Sequence, residues 1–184
     1  EILAMQKSRL LMKFQSSGHT TAVLRAMSYA SPSSKLKDMT SGIEFYDKIA
    51  YIEEHFEEEK DVLVQKLQML AHKLFRADNM MISYTPAKEG LNGMEELVEG
   101  LKKAMFEDPV EDTRCVLHCE MKNEGFKTAS KVQYVARVGN FIDNGADYTG
   151  ALQILKVILS YDYLWQNIRV KGGAYGCMSG FSRT

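Results

Sequence analysis

Two adjacent glycines, Gly172 and Gly173, follow the longest stretch of apolar residues at helical spacing in the sequence. Apolar residues recur at intervals of three or four from Leu152 to Ile168, and further apolar positions between them widen the stripe. This pattern predicts a long helix that is covered on more than one side. Glycine ends helices because it reaches the left-handed conformation at little steric cost. The alternating residues 174–181, AYGCMSGF, then predict a strand.

Arg169 precedes the glycine pair and Tyr175 follows it. One interpretation is structural, because a cation is favoured at a helix C-terminus and a tyrosine is common in strands. The other is functional, because the turn would bring together a guanidinium and a phenol, two donors able to hold a carbonyl oxygen or a developing oxyanion. Gly173 and Gly176 would let a peptide backbone approach closely. Spacing alone leaves both interpretations open.

The composition is that of an ordinary globular chain. Of 184 residues, 45% are hydrophobic and 26% are charged, and the net charge is -1. This charge argues against a nucleic acid or an acidic membrane held by bulk electrostatics, and no apolar run approaches the about 18 residues of a membrane span. Three cysteines, an odd number, indicate a reducing compartment. The sequence begins at Glu1 without a methionine and stops at Thr184 inside a predicted strand, so we expect a piece of a longer protein.

Helical periodicity predicts further helices upstream of this stretch. Ser41 with Glu44 three residues later matches a capping box. Pro32 predicts a loop, because the residue before a proline is pushed out of the helical region. The predicted helices are Ile2–Met12, Thr20–Tyr29, one that follows Ser41 as far as Ile52, Asp61–Phe75 and Met94–Phe106.

Short apolar or alternating runs predict strands at residues 80–85, 114–121 and 130–141 as well as after the glycine turn. A turn is predicted at Lys88–Gly93, and the acidic, proline-bearing segment Glu107–Asp112 predicts a domain boundary. Helices mixed with strands predict an α+β fold of two layers, with helices packed on a sheet. A sheet that stops after Phe181 would have an unpaired edge, so we expect the fragment to self-associate.

Two groups of residues have the side chains, though not the spacing, of metal ligands. In a strand, Cys115 and Cys119 would share a face but lie about 13 Å apart at about 3.3 Å per residue, too far to chelate one ion. His118 would point to the opposite face, so a structural role is predicted for all three. His55 begins the run HFEEEKD, which lacks the second histidine of the H-x-x-E-H motif and is predicted to be a solvated corner between helices.

The residues around the glycine turn resemble a known family. RVKGGAYG, preceded by ILSYDYLWQNI and by QYVARVGNF, is similar to the C-terminal half of presequence-protease-type enzymes, which are zinc metallopeptidases of the pitrilysin/insulinase (inverzincin) family. The upstream segments SSGHTTAVLRAMSYASPSS, SGIEFYDKI and RADNMMISYT are similar to the same family. The resemblance therefore covers nearly the whole chain.

The resemblance implies a fold and a division into domains. Enzymes of this kind have four related α+β domains in two lobes that close on an unfolded peptide. Residues 1–106 would be the C-terminal part of the third domain, residues 107–129 a linker, and residues 130–184 the first half of the fourth domain. The expected fold class is therefore α+β.

The resemblance also implies roles for the site residues. In this family an arginine and a tyrosine of the last domain bind the substrate carbonyl beside the scissile bond and stabilise the tetrahedral intermediate. By motif match these are Arg169 and Tyr175, with Gly173 and Gly176 as further substrate-binding positions. The implied cofactor is zinc in the parent enzyme, whose ligands lie in the missing N-terminal lobe, so this chain alone is expected to be inactive.

The implied partners are an unstructured peptide and the missing lobe of the same chain, with neither nucleic acid nor membrane. The implied location is the bacterial cytoplasm, with the mitochondrial matrix or another organelle as the alternative. A competing hypothesis is a non-catalytic relative that binds peptides or serves as an assembly subunit, which an upstream search for H-x-x-E-H would separate. A third is a scaffold in which Arg169 and Tyr175 only pack.

Overall fold

The computed structural model describes residues 1–85, 93–111, 114–129 and 131–183. The predicted turn at Lys88–Gly93 lies outside these residues except for Gly93 itself. The helices are α1 (Ile2–Ser16), α2 (Gly18–Ser28), α3 (Pro32–Ser41), α4 (Ile43–Glu54), α5 (Phe56–Leu74), α6 (Met94–Lys103) and α7 (Ala151–Ile158), which continues as a π-helix over Leu159–Val170. A short 3₁₀ turn follows α5 at Ala77–Asn79. No helix among the described residues is both long and apolar enough to cross a bilayer.

The predicted helices occur close to their predicted places, but two local predictions are wrong. Pro32 begins α3 instead of forming a loop, because a proline in the first turn has no N–H that needs a partner. Ser41 does not cap α4, since its hydroxyl donates to the carbonyl of Lys37 at 2.9 Å. The carboxylate of Asp38 accepts the N–H of Ile43 instead, at 3.0 Å.

The α+β prediction is wrong, because the part of the chain that the structure describes is helical and contains no sheet. The predicted strands are irregular chain without ladder hydrogen bonds, and the bridge found there is an isolated one between Arg76 and Phe106. Alternating residues specify a chain with two faces, but a sheet forms only where a neighbouring strand supplies the hydrogen-bonding partners. None of the described segments provides such a neighbour.

The chain divides into two compact units, one comprising Glu1–Ile49 with Val116–Thr184 and the other Ala50–Cys115. In the first unit, α2 packs against α3 and also contacts α1. Leu10 and Ile43 are buried there. The predicted division at residues 106 and 130 stays a prediction.

The second unit contains the paired ends of α5 and α6. The N–H of Phe106 donates to the carbonyl of Phe75 at 3.0 Å. The ring of His72 stacks on Phe106, with centroids 3.8 Å apart, and its Nδ1 lies 2.7 Å from a carboxylate oxygen of Asp108. These contacts close a loop of chain around residues 75–106.

In the first unit, the irregular chain after residue 124 lies against α2. A Cβ added at Gly18 would be 2.5 Å from the ring of Tyr134, so the absence of a side chain at Gly18 makes room for that ring. Farther along, the side-chain amide of Asn140 donates to the carbonyl of Ala30 at 3.1 Å. The helix stripe predicted to be covered from α7 to Ile168 has no buried residue among those described. Burial needs an opposing surface, which periodicity alone does not specify.

Candidate functional site

Arg169 lies in the last turn of the π-helix that continues α7. A π-helix pairs each N–H with the carbonyl five residues earlier and is therefore wider than an α-helix. The N–H of Lys171 still follows this pattern, donating to the carbonyl of Gln166 at 3.0 Å. Long π-helices are rare, and π segments frequently occur at functional sites. The backbone that presents Arg169 is therefore unusual in itself.

The glycine pair ends this helix, as predicted. Gly173 has a φ of 73°, the left-handed conformation that favours glycine. Its N–H donates to the carbonyl of Arg169 at 3.0 Å, and the N–H of Ala174 donates to that of Ile168 at 3.2 Å. Each bond spans one residue more than in the Schellman closure of an α-helix, which suits a wider turn. A Cβ at Gly172 would be 2.6 Å from the carbonyl oxygen of Ile168, so both glycines are required.

Tyr175 follows the turn and projects into solvent, with 95% of its surface exposed. Residues 174–183 are irregular chain instead of the predicted strand. Two contacts hold this segment. The hydroxyl of Ser179 hydrogen-bonds that of Ser160 at 2.9 Å, and the ring of Phe181 meets Phe141 edge-on with centroids 6.3 Å apart. The chain beyond Tyr175 is therefore fixed, while the phenol stays accessible.

The four predicted site residues lie in one short accessible stretch. Within the described ranges, neither Arg169 nor Tyr175 forms a hydrogen bond or an ion pair, with each other or with another residue. Gly173 and Gly176 are exposed, and a Cβ at either would have no described atom within 4 Å. Both donors and the backbone beside them are thus available to a ligand. Their predicted roles stay predictions.

Trp165 is a neighbour of Arg169 that the sequence did not reveal as part of the site. The guanidinium carbon of Arg169 lies 4.2 Å from the centroid of the Trp165 ring, which is a cation–π contact. Residues four apart share a helix face. Apolar periodicity assigns Trp165 only to the helix stripe, whereas a tryptophan four residues before an arginine is the signal that could have identified the contact.

A second polar cluster, the Arg25 cluster, lies in the same compact unit and consists of Arg25, Tyr29, Asp38 and Glu124. The guanidinium of Arg25 donates twice to Glu124, at 2.8 and 3.0 Å, and once to Asp38, at 2.7 Å. The phenol of Tyr29 also donates to Glu124. Asp38 is completely buried. The cluster therefore ties α2 and α3 to the irregular chain at Glu124.

Charge pairing shifts the pKa values in the Arg25 cluster. The hydrogen bonds from Arg25 lower the pKa of Glu124 to about 2. The same pairing raises the pKa of Arg25 above its ordinary value. Burial, followed by the hydrogen bond to Glu124, raises the pKa of Tyr29 to about 12. Because these groups already satisfy one another, the cluster holds chain segments together and has no reactive group to spare.

The candidate metal ligands are dispersed. Across the described residues, no group of three His, Cys, Asp or Glu side chains is close enough to hold a metal ion. Cys115 and His118 are exposed, and Cys119 is half-buried. His55 stacks on Tyr51, with ring centroids 4.5 Å apart. The described side chains therefore do not provide the ligand set that zinc needs.

Comparison with known proteins identifies relatives for both ends of the chain. Residues 123–184 match the family model described as the PreP C-terminal domain, and residues 1–52 match a model for a region associated with peptidases of the same family. Protein HypA of Clostridium perfringens (strain 13 / Type A) is 35% identical over 183 residues, which cover 100% of this chain and 19% of that protein.

Two presequence proteases are also similar to this chain. Presequence protease 1, chloroplastic/mitochondrial, of Arabidopsis thaliana is 22% identical over 181 residues, which cover 96% of this chain and 16% of that protein. The mitochondrial presequence protease of Yarrowia lipolytica (strain CLIB 122 / E 150) is 26% identical over 190 residues, which cover 100% of this chain and 19% of that protein. The chain thus spans less than a fifth of the length of the curated relatives that it matches.

Proposed function

This chain belongs to the presequence-protease group of the pitrilysin family of peptidases, and we propose that it supplies substrate-binding and oxyanion-stabilising groups to a longer peptidase that degrades short unstructured peptides. The groups proposed are those of Arg169 and Tyr175. The supporting observation is that these two donors flank one glycine turn and, in the part of the chain that is described, have no polar partner.

The chemistry of peptide hydrolysis explains why such donors are useful. When water adds to a peptide carbonyl, negative charge develops on the carbonyl oxygen. A guanidinium offers positive charge and N–H donors, and a phenol offers an O–H donor. Donors held about 2.7–3.1 Å from the position of that oxygen stabilise the transition state more than the substrate. The open space at Gly173 and Gly176 leaves room for the peptide backbone beside them.

The metal of this family does not fit the described residues of this chain. Bound zinc supplies a nucleophilic water in such peptidases. The described side chains include no ligand set for it, so no step proposed for this chain involves the metal. We propose that other parts of the longer protein hold the zinc. The 184-residue chain by itself should then bind an unstructured peptide without cleaving it.

The test uses the complete peptidase that contains this chain, with zinc and a quenched fluorescent peptide. Arg169→Ala and Tyr175→Phe are each expected to lower kcat about 10²- to 10³-fold, the size of one oxyanion donor. Tyr163→Phe is the matched control, because it removes a 60% exposed phenol from the same π-helix. It should retain the wild-type kcat, and circular dichroism should show that every variant is folded.

Unchanged kcat in both site variants would remove Arg169 and Tyr175 from the site. A loss of peptide affinity at unchanged kcat would assign them to substrate binding alone. If the wild-type protein binds the peptide but never cleaves it, the non-catalytic peptide-binding relative becomes the better hypothesis.

A further inference from the structure

The ring that contacts Arg169 belongs to the single tryptophan of the sequence, Trp165. The distance of 4.2 Å from the guanidinium carbon to the ring centroid lies well inside the about 6 Å range of cation–π contacts. Trp165 is 38% exposed, whereas Tyr161 and Tyr163 on the same π-helix are 69% and 60% exposed. It is therefore the best anchored of these three aromatic rings.

Stacking holds an arginine differently from an ion pair. The ring contacts the flat face of the guanidinium, whereas the N–H donors point outward in its plane. A carboxylate in a bidentate pair would occupy two of those donors. Arg169 has no such partner in the described part of the chain. The contact with Trp165 therefore restrains the group while leaving its donors free for a ligand.

The neighbouring cation, Lys171, is bound in the opposite way. Its ammonium donates to the side-chain oxygen of Asn167 at 3.3 Å, and the amide nitrogen of Asn167 donates to the carbonyl of Tyr163 at 2.8 Å. These bonds direct the donors of Lys171 back to the helix. Arg169 is instead held through its face, so the two cations at this helix end differ in what they offer a substrate.

We propose that Trp165 is a positioning residue for Arg169, whose indole ring holds the guanidinium plane so that its N–H donors reach the carbonyl oxygen of a bound peptide. This inference rests on the proposed function of Arg169. Without the ring, the long arginine side chain samples more rotamers, and fewer of them aim the donors at the oxygen. The loss should therefore affect kcat more than KM.

The experiment compares Trp165→Leu with Trp165→Phe in the complete peptidase. Leucine keeps apolar bulk without a π face, and phenylalanine keeps a weaker π face than tryptophan. An exposed cation–π contact corresponds to about a 2- to 5-fold effect, rising to about 30-fold when the bound peptide excludes water. We expect Trp165→Leu to lower kcat by such a factor and Trp165→Phe by less, with KM little changed. Tyr163→Leu is the control on the same helix and should retain the wild-type kcat.

A double variant distinguishes positioning from a general packing role. In an Arg169→Ala background, Trp165→Leu should cause no further loss of kcat, because the ring then has no guanidinium to hold. A further loss as large as that in the wild-type background would overturn the proposal, and so would an unchanged kcat in Trp165→Leu itself. Failure of the proposed function would look different, since Arg169→Ala alone would then have a normal kcat.

Fluorescence provides a readout that does not depend on turnover. Because the 184-residue chain has one tryptophan, its emission reports on Trp165 directly. Arg169→Ala should change the emission and increase quenching by acrylamide, because the guanidinium no longer covers the ring. Arg137→Ala removes another exposed arginine and should leave the emission unchanged. Identical emission and quenching in Arg169→Ala and wild type would overturn the proposed contact.

Discussion

Replacing Asp38 by alanine tests how the helices of the first compact unit are held together. The side chain is 1% exposed, and its two oxygens have different partners. Oδ2 accepts a hydrogen bond from Arg25 at 2.7 Å, and Oδ1 accepts the backbone N–H of Ile43 at 3.0 Å. Asp38 thereby joins α3 to α2 and to the first residue of α4.

The expected loss follows from these two contacts. Without the carboxylate, the buried N–H of Ile43 loses its acceptor, which costs about 1–3 kcal/mol. Arg25 loses one charge-assisted bond, worth about 1.5–3 kcal/mol, but retains both bonds to Glu124. We therefore expect Asp38→Ala to lower the free energy of unfolding by about 3 kcal/mol, at the low end of the range for breaking a buried ion pair.

Urea unfolding followed by the emission of Trp165 measures this change in the appropriate part of the chain, since Trp165 and Asp38 belong to the same unit. Asp38→Asn keeps an acceptor for the N–H but not the charge, so it should lose about 1.5 kcal/mol. Glu57→Gln alters a surface ion pair whose carboxylate is 80% exposed and should change stability by less than about 0.5 kcal/mol. A loss below about 1 kcal/mol for Asp38→Ala would refute the argument, because it is smaller than either contact is expected to be worth.

Two further predictions concern pH and the glycine turn. Because Arg25 lowers the pKa of Glu124 from 4.5 to about 2, the charged carboxylate stabilises the fold above pH 4.5, and this stabilisation is lost as the pH falls towards 2. Glu124→Gln should therefore flatten the acid side of a plot of unfolding free energy against pH, and an unchanged acid side would contradict the pairing. Gly173→Ala forces a Cβ onto a φ of 73° and should lower the unfolding free energy by about 1–2 kcal/mol in urea titrations, whereas Gly180→Ala, with open space and no positive φ, should not.

The helices could be predicted because their signals are local. Periodicity and the glycine pair identified the helix that ends before Gly172, and the break at Ser17 was visible as polar residues and a glycine. The cap of α4 could not be chosen correctly, because Ser41 and Asp38 are both suitable acceptors and only the folded chain shows which one reaches Ile43. The π winding also left no recognised sign in the sequence.

The errors concern contacts between distant residues. Strand-like alternation at 131–141 and 174–181 predicted a sheet, but pairing depends on a second segment that alternation does not identify. Arg25 and Glu124 are 99 positions apart, and nothing in either local sequence points to the other. A lone arginine in the apolar run TTAVLRAMSYA signals only that a buried partner is needed. The donors Arg169 and Tyr175 could be named because both belong to one short motif.

The two arginines of the first unit differ in what their guanidinium donors contact, and this difference supports assigning function to only one of them. Arg25 gives its donors to two carboxylates, which fixes the distance and orientation of the segments that carry them. Those segments belong to the two matched regions, since Asp38 lies within residues 1–52 and Glu124 within 123–184. Arg169 is restrained by Trp165 instead, without any donor being used among the described contacts. A substitution at Arg25 should therefore be detected first as lost stability, and one at Arg169 as lost catalysis in a protein that is still folded.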